Sequence, residues 1–189
     1  MPDLANCIAR SPGSRWAGLL LAGWLMLTGG PTALAQDGEA ALKRVLDRYV
    51  GTWEGTFTIR TADGRQEKAV TVEQQYWWEE GELRGLSVYE DEGKLTFSNS
   101  INSIVRGILF SEVSQNDRKR YYRGMLVEQT VVWFPVNPQA AANRQIKETI
   151  LRDDGELVLI TEGFERLDPD QANGRTILYQ GRLVRTGDS

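Results

Sequence analysis

The sequence predicts an all-β domain, an antiparallel up-and-down β-barrel of about eight to ten strands that follows a short helix. From residue 52 onward apolar and polar residues alternate with a period of two, as in strands with one buried face. Pairs that favour tight turns, such as Asp63-Gly64 and Glu92-Gly93, recur between the alternating runs. Only segment 135–143 is long enough for a crossover, which favours a barrel over a Greek-key sandwich, and closure removes exposed sheet edges.

The predicted elements form one domain, residues 52–189, preceded by a helix within residues 36–51. Apolar residues recur at helical spacing in the helical segment: Leu42, Val45, Leu46 and Tyr49. The predicted strands are roughly 52–61, 66–78, 82–90, 94–105, 107–114, 119–134, 144–152, 156–166 and 175–185. The run 119–134 is long enough to contain a break near Glu128-Gln129.

Residues 1–35 have the three parts of a secretory signal peptide. Arg10 and Arg15 precede the apolar run 16–27, and Ala33-Leu34-Ala35 resembles a cleavage site. The run is shorter than the roughly 20 residues that span a bilayer, so cleavage after Ala35 is favoured over an uncleaved anchor. The chain is therefore expected to be exported, to the periplasm or the medium, with no integral membrane segment after cleavage.

Composition excludes several kinds of chemistry. The 189 residues include 22 Lys and Arg, 26 Asp and Glu, no His and one Cys, Cys7, which lies in the predicted signal peptide. Without His, and without Cys in the mature chain, histidine bases, thiolate nucleophiles and the usual zinc ligands are all missing. The net charge of −4 argues against binding nucleic acid. We expect no cofactor and no metal, and the sequence leans against an enzyme.

The segment around Gly51-Thr52-Trp53 resembles the entry motif of the calycin superfamily, which includes lipocalins, fatty-acid-binding proteins and avidins. In these proteins a Gly-x-Trp opens the first strand just after a short helix. The resemblance implies a ligand-binding barrel, in which Trp53 packs against an arginine of the last strand and closes one end. Arg182 and Arg185 are the two candidates for that arginine. Haem-binding barrels of this type use a histidine ligand, which this chain lacks.

Polar residues interrupt several strand faces that would otherwise be apolar. If these faces point inward, they line a pocket with apolar walls and a few polar groups, as small-molecule sites have. The candidate ligand-binding residues are Phe57, Tyr76, Trp78, Phe97, Asn99, Ser103, Arg123 and Glu148. Arg123 would hold a carboxylate or a similar anionic group, because guanidinium binds such groups bidentately. Alternatively, Arg123 and Glu148 form a structural ion pair in a filled core.

Three functions remain open from the sequence. The first is non-catalytic binding of a small apolar or amphipathic, possibly anionic, ligand inside the barrel. The second is an envelope protein-interaction module with a filled barrel, in which the outward Trp77 contacts the partner. The third is a hydrolase or isomerase on the same barrel, which gains weight only if Glu148 or Glu112 faces a cavity.

Overall fold

The computed structural model describes residues 32–64, 66–167 and 175–187. The predicted signal peptide lies outside the described residues, apart from its last four positions. Two helices and ten strands follow one another: α1 Thr32–Asp47, β1 Gly51–Thr61, β2 Gln66–Glu79, β3 Glu82–Asp91, β4 Lys94–Val105, β5 Ile108–Gln115, β6 Arg118–Val127, β7 Thr130–Pro135, α2 Pro138–Ala141, β8 Arg144–Asp153, β9 Glu156–Arg166 and β10 Thr176–Gly187. No helix in these ranges is long and apolar enough to cross a membrane.

The strands form a closed barrel in which each pairs antiparallel with the next, and β10 pairs back with β1. The predicted up-and-down barrel is therefore confirmed, with the strand count at the upper end of the expected range. The run 119–134 is two strands, β6 and β7, which separate at Glu128, a residue with a φ of 57°. The helix begins at Thr32 rather than at residue 36 and ends at Asp47.

Tight hairpins fix the register of neighbouring strands. At Glu92-Gly93 and Asp154-Gly155 both residues have positive φ, as two-residue turns with the twist of a β-ribbon require. A one-residue slip would turn every side chain of a strand to the other face, so these turns also decide which residues face the interior.

The apolar core lies at one end of the barrel, which α1 covers. Leu46 and Tyr49 from α1 and the turn after it pack there with Trp53, Leu83 and Leu183, and all five are buried. Trp53 has no exposed surface, and its indole Nε1 donates a hydrogen bond of 2.6 Å to the Tyr49 carbonyl. The opposite end, where β1 ends and β2 begins, carries the short helix α2 between β7 and β8.

Candidate functional site

A cavity of about 210 Å³ occupies the barrel between the covered end and the opposite mouth. Aliphatic side chains of Leu46, Leu83, Val113 and Ile146 form part of its lining, and the other lining residues fall into three groups. Aromatic rings come from Tyr49, Phe57, Tyr76, Tyr89, Tyr122 and Trp133; hydroxyl and amide groups from Gln74, Ser87, Ser98, Ser100, Asn102, Ser111, Gln115 and Thr161; and charged groups from Arg120, Arg144 and Glu148. The interior is thus open and more polar than a filled barrel core.

Glycines on neighbouring strands make room for three of the cavity aromatics. Gly181 is the cross-strand partner of Phe57, Gly85 that of Tyr76, and Gly124 that of Trp133. A Cβ atom added at these glycines would lie 2.5 to 2.7 Å from the ring of the paired aromatic residue. Each ring therefore lies against bare backbone, so the centre of the barrel stays free.

The wall formed by β4 and β5 is polar. Ser98, Asn102 and Ser111 are each 7% exposed and line the cavity. The Asn102 side chain donates to the Leu83 carbonyl at 3.2 Å, which holds its amide in place. Buried hydroxyl and amide groups cost free energy unless they are hydrogen-bonded, so this wall suits a polar occupant or ordered water.

Glu148 lies near the covered end of the cavity. Its Oε2 atom accepts hydrogen bonds from the Trp133 indole at 2.8 Å and from the Tyr49 hydroxyl at 3.2 Å. Burial raises the pKa of this carboxyl although both hydrogen bonds act in the opposite direction, because they favour the charged form. The pKa values of Tyr49 and Tyr76 are also raised, mainly by burial of the two hydroxyls and then by the nearby Glu148 carboxyl.

Basic groups lie at the other end of the cavity. Arg144 stands four residues before Glu148 on β8, which places it roughly 13 Å away along the strand. Its guanidinium lies over the Tyr122 ring, 5.8 Å from the centroid, and its Nη2 is 3.3 Å from Glu165. The Arg144 Nε is buried and has no hydrogen-bond partner among the residues that the structure describes. Arg120 also lines the cavity and is exposed at the mouth.

Glu165 links this mouth to the last strand. Its Oε2 accepts a hydrogen bond of 2.5 Å from the Tyr179 hydroxyl and also contacts the Arg144 guanidinium. Burial and the adjacent carboxylate raise the pKa of Tyr179. The Arg144 charge is thus partly balanced, whereas Arg120 makes no ion pair within the described ranges and adds positive potential to the entrance.

The structure brings three of the predicted ligand-binding residues together in the cavity: Phe57, Tyr76 and Glu148. Trp78 lies on the inward side of β2, but it is outside the cavity and contacts α1. Its indole donates to Asp47 at 2.8 Å, and the Lys43 ammonium lies 4.3 Å from its ring centroid.

The other four predicted residues are not in the cavity, and their expected inward orientation is corrected. Phe97, Asn99 and Ser103 lie on the outer face of β4, and Arg123 lies on the outer face of β6. The reason is that the inner side of β4 carries the polar set of residues, whereas the apolar set faces outward. Arg123 and Glu148 therefore face opposite sides of the barrel wall and form no ion pair.

The two candidate arginines of β10 have different positions. Arg185 is opposite Trp53 in the register of β1 and β10, and its guanidinium lies so close to Gly51 that an added Cβ would be 2.7 Å from Nε. Arg182 faces outward and contacts Asp153 at 2.8 Å. Trp77, the predicted partner contact, is half-buried on the outer face opposite Arg84.

Sequence reasoning missed Arg120, Arg144 and Trp133 as cavity residues. The glycines in the middle of strands, such as Gly85 and Gly124, are the signal that could have indicated the neighbouring rings, because a glycine inside a strand often marks a close approach. Within the described ranges, no group of three carboxylate or thiol side chains comes together as metal ligands do.

The sequence matches no protein-family model, and the search of curated proteins finds no match. Among solved structures the chain is similar to an S-type phycobiliprotein lyase from Guillardia theta. The two chains are 9% identical, the alignment covers 82% of this chain and 97% of the lyase, and the TM-score is 0.46.

Proposed function

We propose that this protein is an exported, non-catalytic binding protein for a small amphipathic ligand that carries an anionic group. The observation that supports the proposal is the polar-lined cavity of about 210 Å³ with Arg120 and Arg144 at its mouth. A cavity of this size also counts against the filled barrel of the protein-interaction alternative.

The two ends of the cavity differ in chemistry, which gives the ligand an orientation. At the mouth, guanidinium groups bind a carboxylate, sulfonate or phosphate. At the base, the ionised Glu148 accepts from an N–H or O–H group, and its protonated form donates to an oxygen. Between them, the aromatic rings of Phe57, Tyr76 and Trp133 contact an apolar body.

A pair of probes tests this function. We expect 2-naphthoate to bind the full chain with a stoichiometry of one in isothermal titration calorimetry, and its neutral analogue 2-naphthamide to bind about tenfold or more weakly, since a charge-assisted contact contributes about 1.5–3 kcal/mol. Arg144→Gln removes one of the two cations at the mouth and should reduce the difference between the probes.

Arg182→Ala is the matched control, because Arg182 is an outward arginine with an ion pair of its own. The control should bind both probes as the unchanged protein does. Absence of saturable heat with either probe would contradict the proposal, as would equal loss of naphthoate affinity in both arginine variants.

A second candidate function is acid–base catalysis by Glu148. The observation in its favour is that this carboxyl faces the cavity and that burial raises its pKa, as in many general acids. Hydrolysis of p-nitrophenyl acetate distinguishes the two functions. A rate above background that Glu148→Gln removes favours a hydrolase, whereas a binding protein gives the same background rate with both forms.

Export belongs to the same proposal and has its own test. Expression of the full chain with a C-terminal tag in a bacterial host should give a mature protein whose N-terminal residue is Gln36. Recovery of the intact chain from the cytosol would contradict export.

A further inference from the structure

The outside of the barrel carries an extended apolar surface on β4, β5 and β6. We call it the outer apolar face and define it by six residues: Val105, Ile108, Phe110, Tyr121, Met125 and Val127. Five of them are large hydrophobic side chains with much of their surface exposed, at 49% for Val105, 40% for Ile108, 53% for Tyr121, 52% for Met125 and 48% for Val127. Water-facing strand positions are normally polar, so a set of half-exposed apolar side chains on the outer side of neighbouring strands is unusual.

Strand register makes this surface continuous. Val105 pairs with Ile108 across β4 and β5, and the Leu109–Gly124 pair places Ile108 beside Met125 on β6. The next row contains Phe110 and Arg123, which is followed on β7 by Phe134. Same-face neighbours in such rows are in side-chain contact range, so the residues form one patch and not scattered exposures.

The apolar area of the patch is in the range of functional surfaces. A half-exposed large side chain presents about 100 Å², so the five exposed residues together present roughly 500 Å². Phe110 and Phe134, which are partly exposed, extend the patch further. The largest apolar patch on a typical monomer is about 300–600 Å² and often functional. A stable interface of standard size buries about 800 Å² of polar and apolar surface per partner, of which these apolar side chains would supply the larger part.

Charges within the patch favour a second copy of the same chain as the occupant. Arg123 is exposed beside Phe110, and Glu112 lies one row away beside Tyr121, where it contacts Lys119 at 2.5 Å. In a symmetric dimer, a twofold axis through the patch brings the same surface of both copies together. A residue on one side of the axis in the first copy then faces a residue from the other side of the patch in the second copy. Arg123 of one copy then approaches Glu112 of the other. An anionic lipid surface would instead favour cations alone around the apolar residues.

We propose that the outer apolar face is the interface of a homodimer, in which β4, β5 and β6 of one copy pack on the same strands of a second copy. The proposal depends on the outside of the barrel and is independent of what the cavity binds. Burial of Met125 and Tyr121 supplies the apolar contact, and Arg123 with Glu112 sets the orientation of the two copies.

Sedimentation equilibrium of the full chain tests the interface. We expect the unchanged protein to have twice the mass of one chain at about 50 µM, since interfaces of standard size have dissociation constants from micromolar to picomolar. Met125→Lys places a charge in the interface and should raise the dissociation constant about 10-fold to 100-fold, as changes at central interface residues do.

Leu95→Lys is the matched control. Leu95 is 54% exposed, as Met125 is 52% exposed, but it lies opposite Glu90 at the β3–β4 hairpin and outside the face. The control should remain dimeric. Circular dichroism melting shows whether each variant is folded, and Tyr121→Lys serves as the second interface variant if Met125→Lys unfolds.

Three results would overturn the proposal. The first is a monomer at about 50 µM, where a dimer of standard interface size should form. The second is equal dissociation of the Met125→Lys and Leu95→Lys variants. The third is a monomer that sediments with vesicles of phosphatidylglycerol and loses this binding in Met125→Lys, which would make the face a membrane-binding surface.

Discussion

Glu148 is a carboxyl group deep in the barrel whose hydrogen-bond donors are two neutral groups, the Trp133 indole and the Tyr49 hydroxyl. Burial raises its pKa, so the folded protein keeps the proton to a higher pH than the unfolded chain does. The stabilising contribution of this group is therefore fully present below its ordinary pKa of 4.5 and is lost as the pH rises through the raised value.

This loss of stability with rising pH leads to a prediction for Glu148→Gln. The amide stays neutral at every pH, and its oxygen can accept the same two hydrogen bonds. We expect the variant and the unchanged protein to have similar free energies of unfolding at pH 4, and the variant to become increasingly more stable toward pH 8. Urea unfolding at a series of pH values measures the difference.

Glu162→Gln gives the comparison, since Glu162 lies exposed on β9. Its effect on the free energy of unfolding should stay within about 0.5 kcal/mol across the same pH range, as is usual for surface substitutions. A Glu148→Gln difference that is equally independent of pH would show that the carboxyl is not held in a costly charged state.

At the scale of elements, β4 shows what sequence alternation can and cannot predict. The period of two locates this strand to within a residue, because Leu95, Phe97 and Ile101 alternate with polar residues. The period does not say which side faces inward. The usual rule that apolar residues face the interior gives the wrong side here, since the interior is a polar-lined cavity and the exterior is the apolar surface.

The glycine–aromatic pairs of the cavity wall could not be predicted from the sequence either. Tyr76 and Gly85 lie nine residues apart on one hairpin, whereas Phe57 and Gly181 come from opposite ends of the chain. Their contact depends on the exact register of two strands and, for Phe57, on the closure of the barrel. Sequence alone predicted Phe57 and Tyr76 as inward residues but not what lies against them.

The closing seam between β1 and β10 provides a prediction at this scale. A Cβ atom at Gly55 would lie 2.0 Å from the Arg182 carbonyl oxygen, so an alanine there forces two backbones apart. We expect Gly55→Ala to lower the free energy of unfolding by about 1–3 kcal/mol, the usual cost of overpacking. Thermal unfolding followed by circular dichroism measures it.

Gly38→Ala, in α1, is the control variant for Gly55→Ala. Nothing lies within 4 Å of a Cβ at Gly38, and alanine is the better helix former by about 1 kcal/mol, so this variant should be as stable as the unchanged protein or more so. If both alanines have the same small effect, the close approach of β1 and β10 at Gly55 is wrong.

For the whole molecule, the two ends of the barrel have different roles. Trp53 and Leu46 close one end with apolar contacts, and Arg120 and Arg144 make the other end basic. The sequence predicted the closed end through the Gly51-Thr52-Trp53 segment, because that information is local. It did not predict the basic mouth, since Arg120 and Arg144 lie on β6 and β8, strands that pair with β7 and not with each other.

This arrangement gives the cavity positive charge at the entrance and a titratable carboxyl at the base. Under the proposed function, the positive potential of the mouth attracts an anionic ligand from solution, and the neutral end of that ligand reaches the pocket around Glu148. The proposed orientation depends on β8, which places Arg144 and Glu148 on the same face of one strand.

The most direct measurement compares the affinity for 2-naphthoate of two variants on one strand, Ser111→Phe and Ser114→Phe. Ser111 lines the cavity, whereas Ser114 lies on the outer face of β5. If the interior is an accessible site, the ring at position 111 fills it and calorimetric binding is lost, while the ring at position 114 leaves the affinity unchanged. Unchanged affinity in a folded Ser111→Phe variant would contradict a binding site inside the barrel.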